Sequence, residues 1–333
     1  MSGQDPIFQL GQWEREVASH LQHLSKPQVF ILAMFSLAVA LTRSCSVSNA
    51  ARFLSVLFEC PFANWRQRLR ELCYNAPDRV GDKRRDLDVG ACCAALLSWV
   101  LSRWQAEHLP LAVDASTLGA RFVVLSISVL YRGCAILVAW RIVRAGEKGT
   151  YRPVLLRLLR QLWRATPTGL YVMVMADRGL YARWLFRRIV RLGWHPLLRI
   201  NSDCYFRPHG ECAFRPLRSF APQVGSHCAV AGSAFASPEA RLDATLLCCW
   251  QEGHKDAWFI LTDVAPDSAS ACWYGLHPWI EQGFRAFKRG CFQWQATRMR
   301  DPQRASRLWL VMAVVTLFLL ATGTDQQEPD DPG

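Results

Sequence analysis

The sequence lacks the patterns that mark a membrane anchor, a secreted chain or a zinc ribbon. Its two main apolar stretches, residues 29–41 and 308–320, are 13 residues long, whereas crossing a bilayer takes roughly 20. No charged leader precedes a hydrophobic segment at the start, so we expect no signal peptide, no membrane association and a cytoplasmic location. The 13 cysteines contain no CxxC pair, which excludes the usual zinc-ribbon spacing and predicts reduced, mostly buried thiols. A metal cluster is a minor alternative for four side chains: His209, Cys212, His227 and Cys228.

Acidic residues are also scarce relative to basic ones. The 333-residue chain has 27 Asp and Glu against 39 Lys and Arg, which gives a net charge of +12 and an isoelectric point near 9.3. This excess favours a polyanionic partner such as nucleic acid, although many of the arginines can be ordinary solvated surface. The length allows a large core and two or three structural units.

Residues 1–105 carry helical periodicity and few strand signals, and therefore predict an all-helical N-terminal region. Within it, residues 46–57 and 64–74 resemble a helix-turn-helix. The second of these helices carries three arginines: Arg66, Arg68 and Arg70. They predict DNA binding, through specific contacts or through the DNA backbone alone, and an ordinary pair of amphipathic helices is the alternative.

The pattern changes to strands from residue 106 onward. Apolar and β-branched runs predict strands 110–115, 121–130 and 134–142, helix 151–163, strand 170–176, helix 180–192 and strand 196–200. Gly, Pro and Ser among short apolar pieces predict a strand-rich insertion at residues 201–255. Residues 256–322 return to the main unit with two helices, and residues 323–333 predict a disordered acidic tail. The fold class is therefore α/β.

Three carboxylates occur where strand ends and a helix would present them together. Asp114 ends the first strand, Asp177 ends the fourth, and Glu281 lies on the later helix. Carboxylate oxygens from separate elements are the ligands that hold the two magnesium ions of metal-assisted phosphodiester chemistry. Taken singly, an aspartate at the end of a strand can simply cap the following turn or helix.

The stretch WYGLHPWIEQGFRAFKR sets an aromatic ring, an imidazole, an acid and a base at helical offsets. Tyr274 and His277 precede Glu281 by seven and four residues, and Lys288 follows it by seven, so one helical face would carry all four. Such a face suits phosphate handling, and a solvated amphipathic surface is the alternative. Pro278 fits best in a first helical turn, which predicts a helix that begins at or just before it.

The four-point spacing from Tyr274 to Lys288 resembles the Y-x2-R-x3-E-x6-K signature of a large group of insertion-sequence DDE transposases. The short sequence segments around the two aspartates are similar to the acidic motifs of the same family. VDAST contains Asp114, and ADRGLYARWLF contains Asp177. The likeness spans residues 109–320. It is specific because three separate motifs agree.

This resemblance implies a ribonuclease H-like mixed sheet built from residues 106–200 and 256–322. The all-helical region would precede it, and the strand-rich insertion would come before the catalytic Glu helix. The resemblance further implies that Asp114, Asp177 and Glu281 are catalytic and hold two Mg²⁺ ions, with Mn²⁺ as an alternative. It implies six DNA-binding residues: Tyr274, His277, Arg285, Lys288, Arg298 and Arg300.

The activity implied by the resemblance is cut-and-paste transposition of DNA. Water would nick a strand, and the freed 3′ hydroxyl would then attack the opposite strand or the target DNA. The partners would be double-stranded DNA at the element ends and at the target. We expect a homodimer on DNA, because two ends must be paired, with the apolar C-terminal helix as a candidate contact. The location would be the cytoplasm, at the nucleoid.

His277 departs from the signature, which has arginine at this position. An imidazole does not reproduce the always-charged, bidentate guanidinium, although Arg285 on a nearby helical face can substitute for it. A catalytically impaired or repurposed DNA-binding protein is therefore an alternative, as is a nuclease of the same fold without strand transfer. Trp273 and Trp294, with the arginines that follow them, can stack on frayed DNA ends or pack in the core.

Overall fold

The computed structural model describes residues 6–79, 85–147, 149 and 151–324. Its helices are α1 (Pro6–His20), α2 (Lys26–Thr42), α3 (Val47–Leu57), α4 (Phe62–Cys73), α5 (Val89–Leu101), α6 (Tyr151–Ala165), α7 (Arg183–Arg191), α8 (Pro278–Arg285) and α9 (Pro302–Thr324). Its strands are β1 (His108–Leu118), β2 (Phe122–Tyr131), β3 (Cys134–Arg144), β4 (Tyr171–Ala176), β5 (His195–Arg199), β6 (Tyr205–Pro208), β7 (Arg215–Pro216), β8 (His227–Ala234), β9 (Leu242–Cys249) and β10 (Trp258–Thr262). Five helices thus precede the first strand.

Side chains at the starts of two of these helices explain where the helices begin. The backbone N–H of Ser25 donates to Oε1 of Gln28 at 3.0 Å, across the first turn of α2. At α5, the Asp88 carboxylate accepts hydrogen bonds from the backbone N–H groups of Gly90 and Ala91 at 2.8 and 3.2 Å. These bonds satisfy donors that a helix leaves without intrahelical partners.

The strands form one ten-stranded mixed sheet in the order β3-β2-β1-β4-β5-β10-β9-β8-β6-β7. β1 is antiparallel to β2 and parallel to β4, and β4 is parallel to β5. The other pairings are antiparallel. The predicted α/β class with a mixed sheet is confirmed.

The strands of the predicted insertion continue the main sheet. β10 pairs with β5 on one side and with β9 on the other, and β9 leads through β8 to β6 and β7. Residues 201–255 therefore extend the sheet outward from β10. Local sequence patterns did not predict this continuity, because it depends on pairing between strands far apart in the chain.

The long apolar helix α9 lies mostly inside the protein. It packs against α2, α4 and β3, and its residues 308–315 are buried. By length and composition its Pro302–Thr322 portion could cross a membrane, but 61% of its most apolar 18 residues are buried against the rest of the protein. A partner chain could not reach the buried residues, which weakens the predicted dimer contact through this helix. From residue 325 on, the predicted disordered tail lies outside the described residues.

Candidate active site

The register of three parallel strands brings two of the predicted catalytic residues to one edge of the sheet. Val113 of β1 pairs with Ala176 of β4, which in turn pairs with Leu198 of β5. The next residue on each strand is therefore Asp114, Asp177 and Arg199, respectively. The carboxyl ends of adjacent parallel strands in an α/β sheet commonly form binding sites.

Both aspartates are held by the backbone that follows them. Oδ1 of Asp114 accepts the N–H of Ala115 at 2.7 Å, and Oδ1 of Asp177 accepts the N–H of Arg178 at 2.6 Å. Asp177 precedes a turn, whereas Asp114 lies within β1, which continues to Leu118 beside β2, so the predicted end of the first strand at Asp114 was wrong. Each carboxylate keeps one oxygen bonded to the next backbone N–H. The second oxygen of each is not part of these bonds and can accept another ligand.

Helix α8 carries the third carboxylate and lies close against β3. It begins at Pro278, which confirms the predicted start. Ile280 is buried, whereas Glu281 is exposed. Gly283 permits the close approach, because a Cβ at this position would lie 3.0 Å from the Cβ of Ala135 on β3. The packing on one side of α8 therefore leaves Glu281 on the side open to solvent.

The three carboxylates act on one another electrostatically. The pKa of Asp114 is raised from 3.8 to about 6. Burial is the largest cause, the negative charges of Asp177 and Glu281 add to it, and the hydrogen bond from Ala115 opposes it. The positive charge of Lys288 lowers the same pKa. A partly buried carboxylate beside two others is an environment that a bound cation would relieve.

The donor set fits a magnesium ion by chemistry. Mg²⁺ prefers hard oxygen ligands and is commonly bound through one or two carboxylates with water completing the shell. As the side chains stand, no group of three or more His, Cys, Asp or Glu within the described ranges is close enough to hold a metal ion. This holds for the three carboxylates and also for the cysteine and histidine alternative at residues 209–228.

The predicted single helical face is interrupted in the structure. Tyr274 lies in a 3-10 helix, Ala271–Leu276, Glu281 lies in α8, and Lys288 lies in a π-helical segment, Ala286–Gly290. Because these helices turn by different angles per residue, offsets of four and seven no longer place side chains on one face. The α-helical periodicity assumed from the sequence was wrong across this stretch.

Tyr274 and His277 are buried behind the carboxylates. The Tyr274 hydroxyl donates to the carbonyl oxygen of Ala176 at 3.4 Å, and its ring stacks on the His277 ring with centroids 5.0 Å apart. Burial lowers the pKa of His277 to about 4, against the opposing effect of Asp177, so the imidazole is neutral near pH 7. Its Nε2 atom has no hydrogen-bond partner among the described residues. As placed, His277 offers no positive charge to a phosphate.

Arg199 is a residue of this site that sequence reasoning missed. Its Nη1 atom lies 4.0 Å from Oδ1 of Asp177, and its side chain is 22% exposed. Burial and the charge of Asp177 raise the pKa of Tyr274, and the positive charge of Arg199 opposes them. At His277 the charge of Arg199 adds to the lowering of the pKa by burial. No motif marks Arg199. The signal that could have identified it is its position in the predicted fifth strand. Arg199 follows Leu198 there, just as Asp114 and Asp177 follow the residues paired in register with Leu198.

The other predicted DNA-binding residues are divided between two places. Lys288 is half-buried near Asp114, and Arg285 is exposed at the end of α8. Arg298 and Arg300 are exposed on the segment before α9 and line a different cavity. Trp294 is fully buried and contacts the ring of Trp309 at a centroid distance of 5.0 Å. It therefore packs in the core, whereas Trp273 is half-buried beside Tyr171.

Comparison with known proteins gives a limited likeness. No protein-family model and no characterised protein sequence matches the chain. Among solved structures, the chain is similar to the cryo-EM structure of a piggyBac transposase synaptic complex with hairpin DNA. The match has 10% sequence identity and a TM-score of 0.43, and it covers 97% of this chain and 77% of the other. A likeness of this extent defines neither the site nor its chemistry.

Proposed function

We propose that this chain is a metal-dependent DDE transposase that cuts and joins DNA at the ends of an insertion sequence. The observation that carries the proposal is the row of residues just past the last pairs that β1, β4 and β5 form with one another. In this row Asp114 and Asp177 share one sheet edge, and Glu281 acts on Asp114 from α8. These are the three residues that the acidic motifs and the four-point signature single out. Two motifs 63 residues apart in the sequence thus fall on adjacent strands.

The fold around the row supports a ribonuclease H-like catalytic domain. Its strand order, β3-β2-β1-β4-β5, has an antiparallel meander followed by two parallel strands. The domain would comprise residues 106–200 and 256–322. The strand-rich residues 201–255 would then be an extension of the catalytic sheet at β10.

The residues of the site have separate roles in this proposal. Asp114, Asp177 and Glu281 would hold Mg²⁺, or Mn²⁺ in its place, after their side chains move closer together than they stand in this structure. The bound ions would supply Lewis-acid stabilisation of the phosphodiester and activation of the attacking oxygen. Arg199 and Lys288 would bind phosphate oxygens of the strand that is cut. Tyr274 would help to position Asp177, because its hydroxyl donates a hydrogen bond to the carbonyl oxygen of the preceding residue, Ala176.

The proposed reaction has two phosphoryl transfers. In the first, a water oxygen forms a bond to phosphorus and the 3′ oxygen leaves as a hydroxyl. In the second, that hydroxyl attacks a phosphodiester of the opposite strand or of target DNA, and another 3′ oxygen leaves. Each step exchanges one P–O bond for another, so neither requires an energy-rich cofactor.

The test uses the full chain and a plasmid that carries its gene with the native flanking DNA. With Mg²⁺ we expect nicks at the boundaries of short inverted repeats, followed by hairpin or joined products, and with EDTA we expect neither. Nicks without joined products would instead identify a nuclease. Absence of any Mg²⁺- or Mn²⁺-dependent cutting of DNA that the chain binds would refute the proposed activity.

A DNA-binding protein without turnover is the second candidate. The observation that favours it is His277, which is buried and neutral where the signature has a permanent cation. In the plasmid assay this candidate predicts protection of the flanking DNA with no cut strands. Under the first candidate, Arg199 supplies the missing positive charge from the neighbouring strand.

Replacing Arg199 should therefore reduce cutting more than binding. We expect Arg199→Ala to slow Mg²⁺-dependent nicking by about 10- to 100-fold, because a hydrogen bond to a charged group contributes about 1.5–3 kcal/mol. Arg199→Lys should retain more activity than Arg199→Ala because it keeps the charge. Arg191→Ala, at the exposed end of α7, is the matched control. Equal nicking rates for the two alanine variants would exclude this role for Arg199.

A further inference from the structure

A second basic site lies where the N-terminal helices meet the segment that leads into α9. A cavity of about 610 Å³ is lined there by five arginines, Arg66, Arg70, Arg298, Arg300 and Arg304, together with Tyr74. Neither the three carboxylates nor Arg199 lines it. The structure thus brings together arginines that the sequence places more than two hundred residues apart.

The positive charge of the cavity is largely uncompensated. Within the described part of the chain, Arg304 is the one of the five that forms an ion pair, with Asp78 at 3.0 Å. Asp301 also lines the cavity, and its Oδ1 accepts the backbone N–H of Arg304 at 2.8 Å, at the start of α9. Five guanidinium groups are therefore offset by two carboxylates, those of Asp78 and Asp301, and the remaining positive charge favours a ligand with several negative charges.

The aromatic ring of Tyr74 organises two of the guanidinium groups. Arg304 stacks over the ring at 4.3 Å from its centroid, and Arg70 lies over it at 5.3 Å. Nε of Arg70 also donates to the Tyr74 hydroxyl at 2.8 Å. Stacking of this kind fixes the planes of the guanidinium groups, so less side-chain entropy is lost when they bind an anion.

Both walls of the cavity are anchored in the core. On α4, Trp65 and Leu69 are buried, so Arg66 and Arg70, four residues apart, lie together on another part of the helix surface. On the opposite wall, Nη1 of Arg121 donates to the carbonyl oxygens of Thr297 and Met299 at 2.8 and 3.0 Å. These bonds hold the segment that carries Arg298 and Arg300. The positive charges are thus presented by a preformed surface.

We infer that this cavity binds the phosphate backbone of duplex DNA outside the site of cutting. The inference rests on the proposed function and adds to it a second contact, made jointly by α4 and the segment before α9. Arg66, Arg298 and Arg300 are exposed, so a long polyanion can reach them from solvent. Arginine contacts to phosphates position a protein on DNA without reading its sequence.

The test compares two double charge reversals that change net charge equally. Arg66→Glu with Arg298→Glu alters the cavity, and Arg157→Glu with Arg160→Glu alters exposed positions on α6. Binding of a labelled duplex from the flanking DNA is followed by fluorescence anisotropy in EDTA at several salt concentrations. We expect the cavity variant to bind at least about 10-fold more weakly. The slope of its affinity against salt concentration should correspond to about two fewer phosphate contacts. We expect the α6 variant to change little.

The outcomes separate this inference from the proposed activity. If both reversals weaken binding equally, the cavity has no special role and the inference is overturned, whether or not the wild type cuts DNA. If the cavity variant alone loses affinity while the wild type cuts nothing, the cavity is supported and the transposase activity fails. Arg66→Lys with Arg298→Lys should bind like the wild type, and melting curves of all variants show that each is folded. Tripolyphosphate is the probe for a small phosphate ligand. If it raises the melting temperature of the wild type but does not compete with DNA, the cavity binds a small phosphate compound and its assignment to DNA is overturned.

Discussion

Asp177→Asn is expected to abolish Mg²⁺-dependent strand cutting while leaving DNA binding intact. The substitution keeps the shape of the side chain and its bond to the N–H of Arg178, but it removes the negative charge that would hold a divalent cation. Loss of a group that stabilises charge in the transition state commonly slows an enzyme on the order of 10³-fold or more. The measurement is nicking of the plasmid that carries the native flanking DNA, with binding to the same DNA followed in parallel.

The matched control is Asp263→Asn. Asp263 also follows a strand, but β10 is antiparallel to β5, so its carboxyl end lies at the opposite edge of the sheet. Asp263 there contacts Nδ1 of His195 at 3.1 Å. This variant should cut DNA like the wild type. If it were as inactive as Asp177→Asn, the catalytic carboxylates would not be confined to the edge that carries Asp114 and Asp177.

Asp114→Asn is expected to make the metal-free protein more stable at neutral pH. The folded protein raises the pKa of Asp114 from 3.8 to about 6, so ionisation of this carboxylate costs stability. The cost is absent below pH 4, grows as pH rises from about 4 to 6, and is complete above that range. A change of this size corresponds to about 3 kcal/mol. In EDTA at pH 7.5 the variant should therefore melt several degrees above the wild type.

Metal ions should reverse the order of the melting temperatures of the wild type and Asp114→Asn. Mg²⁺ or Mn²⁺ stabilises a protein whose folded state binds it, so addition should raise the melting temperature of the wild type and affect the variant much less. At pH 4 in EDTA the two should melt together. Equal melting temperatures at pH 7.5 in EDTA would mean that neither burial nor the neighbouring carboxylates oppose the ionisation of Asp114.

The sequence predicted the strands and helices that build the active-site edge because their signals are local. Apolar and β-branched runs marked β1, β2 and β3, and the fixed geometry of Pro278 marked the start of α8. Asp114 and Asp177 were recognised because each directly follows or ends an apolar run. The end of β4 at Ala176 was predicted correctly, whereas β1 continues to Leu118, beyond the predicted end near Asp114. The parallel pairing of β1 with β4 carries both aspartates to one edge of the sheet.

The sequence could not predict features that depend on what surrounds a residue. His277 carries the same imidazole whether it is exposed or stacked on Tyr274, and only the packing makes it buried and neutral. The start of α8 was predicted from Pro278, but the 3-10 helix before it and the π-helical segment after it were not. Arg199 was missed because its role comes from strand register.

The position of β10 has a consequence for how the gene can vary in length. Hydrogen bonds to β5 and β9 occupy both sides of this strand, so deletion of residues 201–249 would leave one row of its backbone N–H and C=O groups unpaired. Such a strand invites self-association between molecules. Shortened copies should therefore accumulate as insoluble protein, whereas insertions at the turn around Gly210, which has a positive φ and open space beside it, should be tolerated.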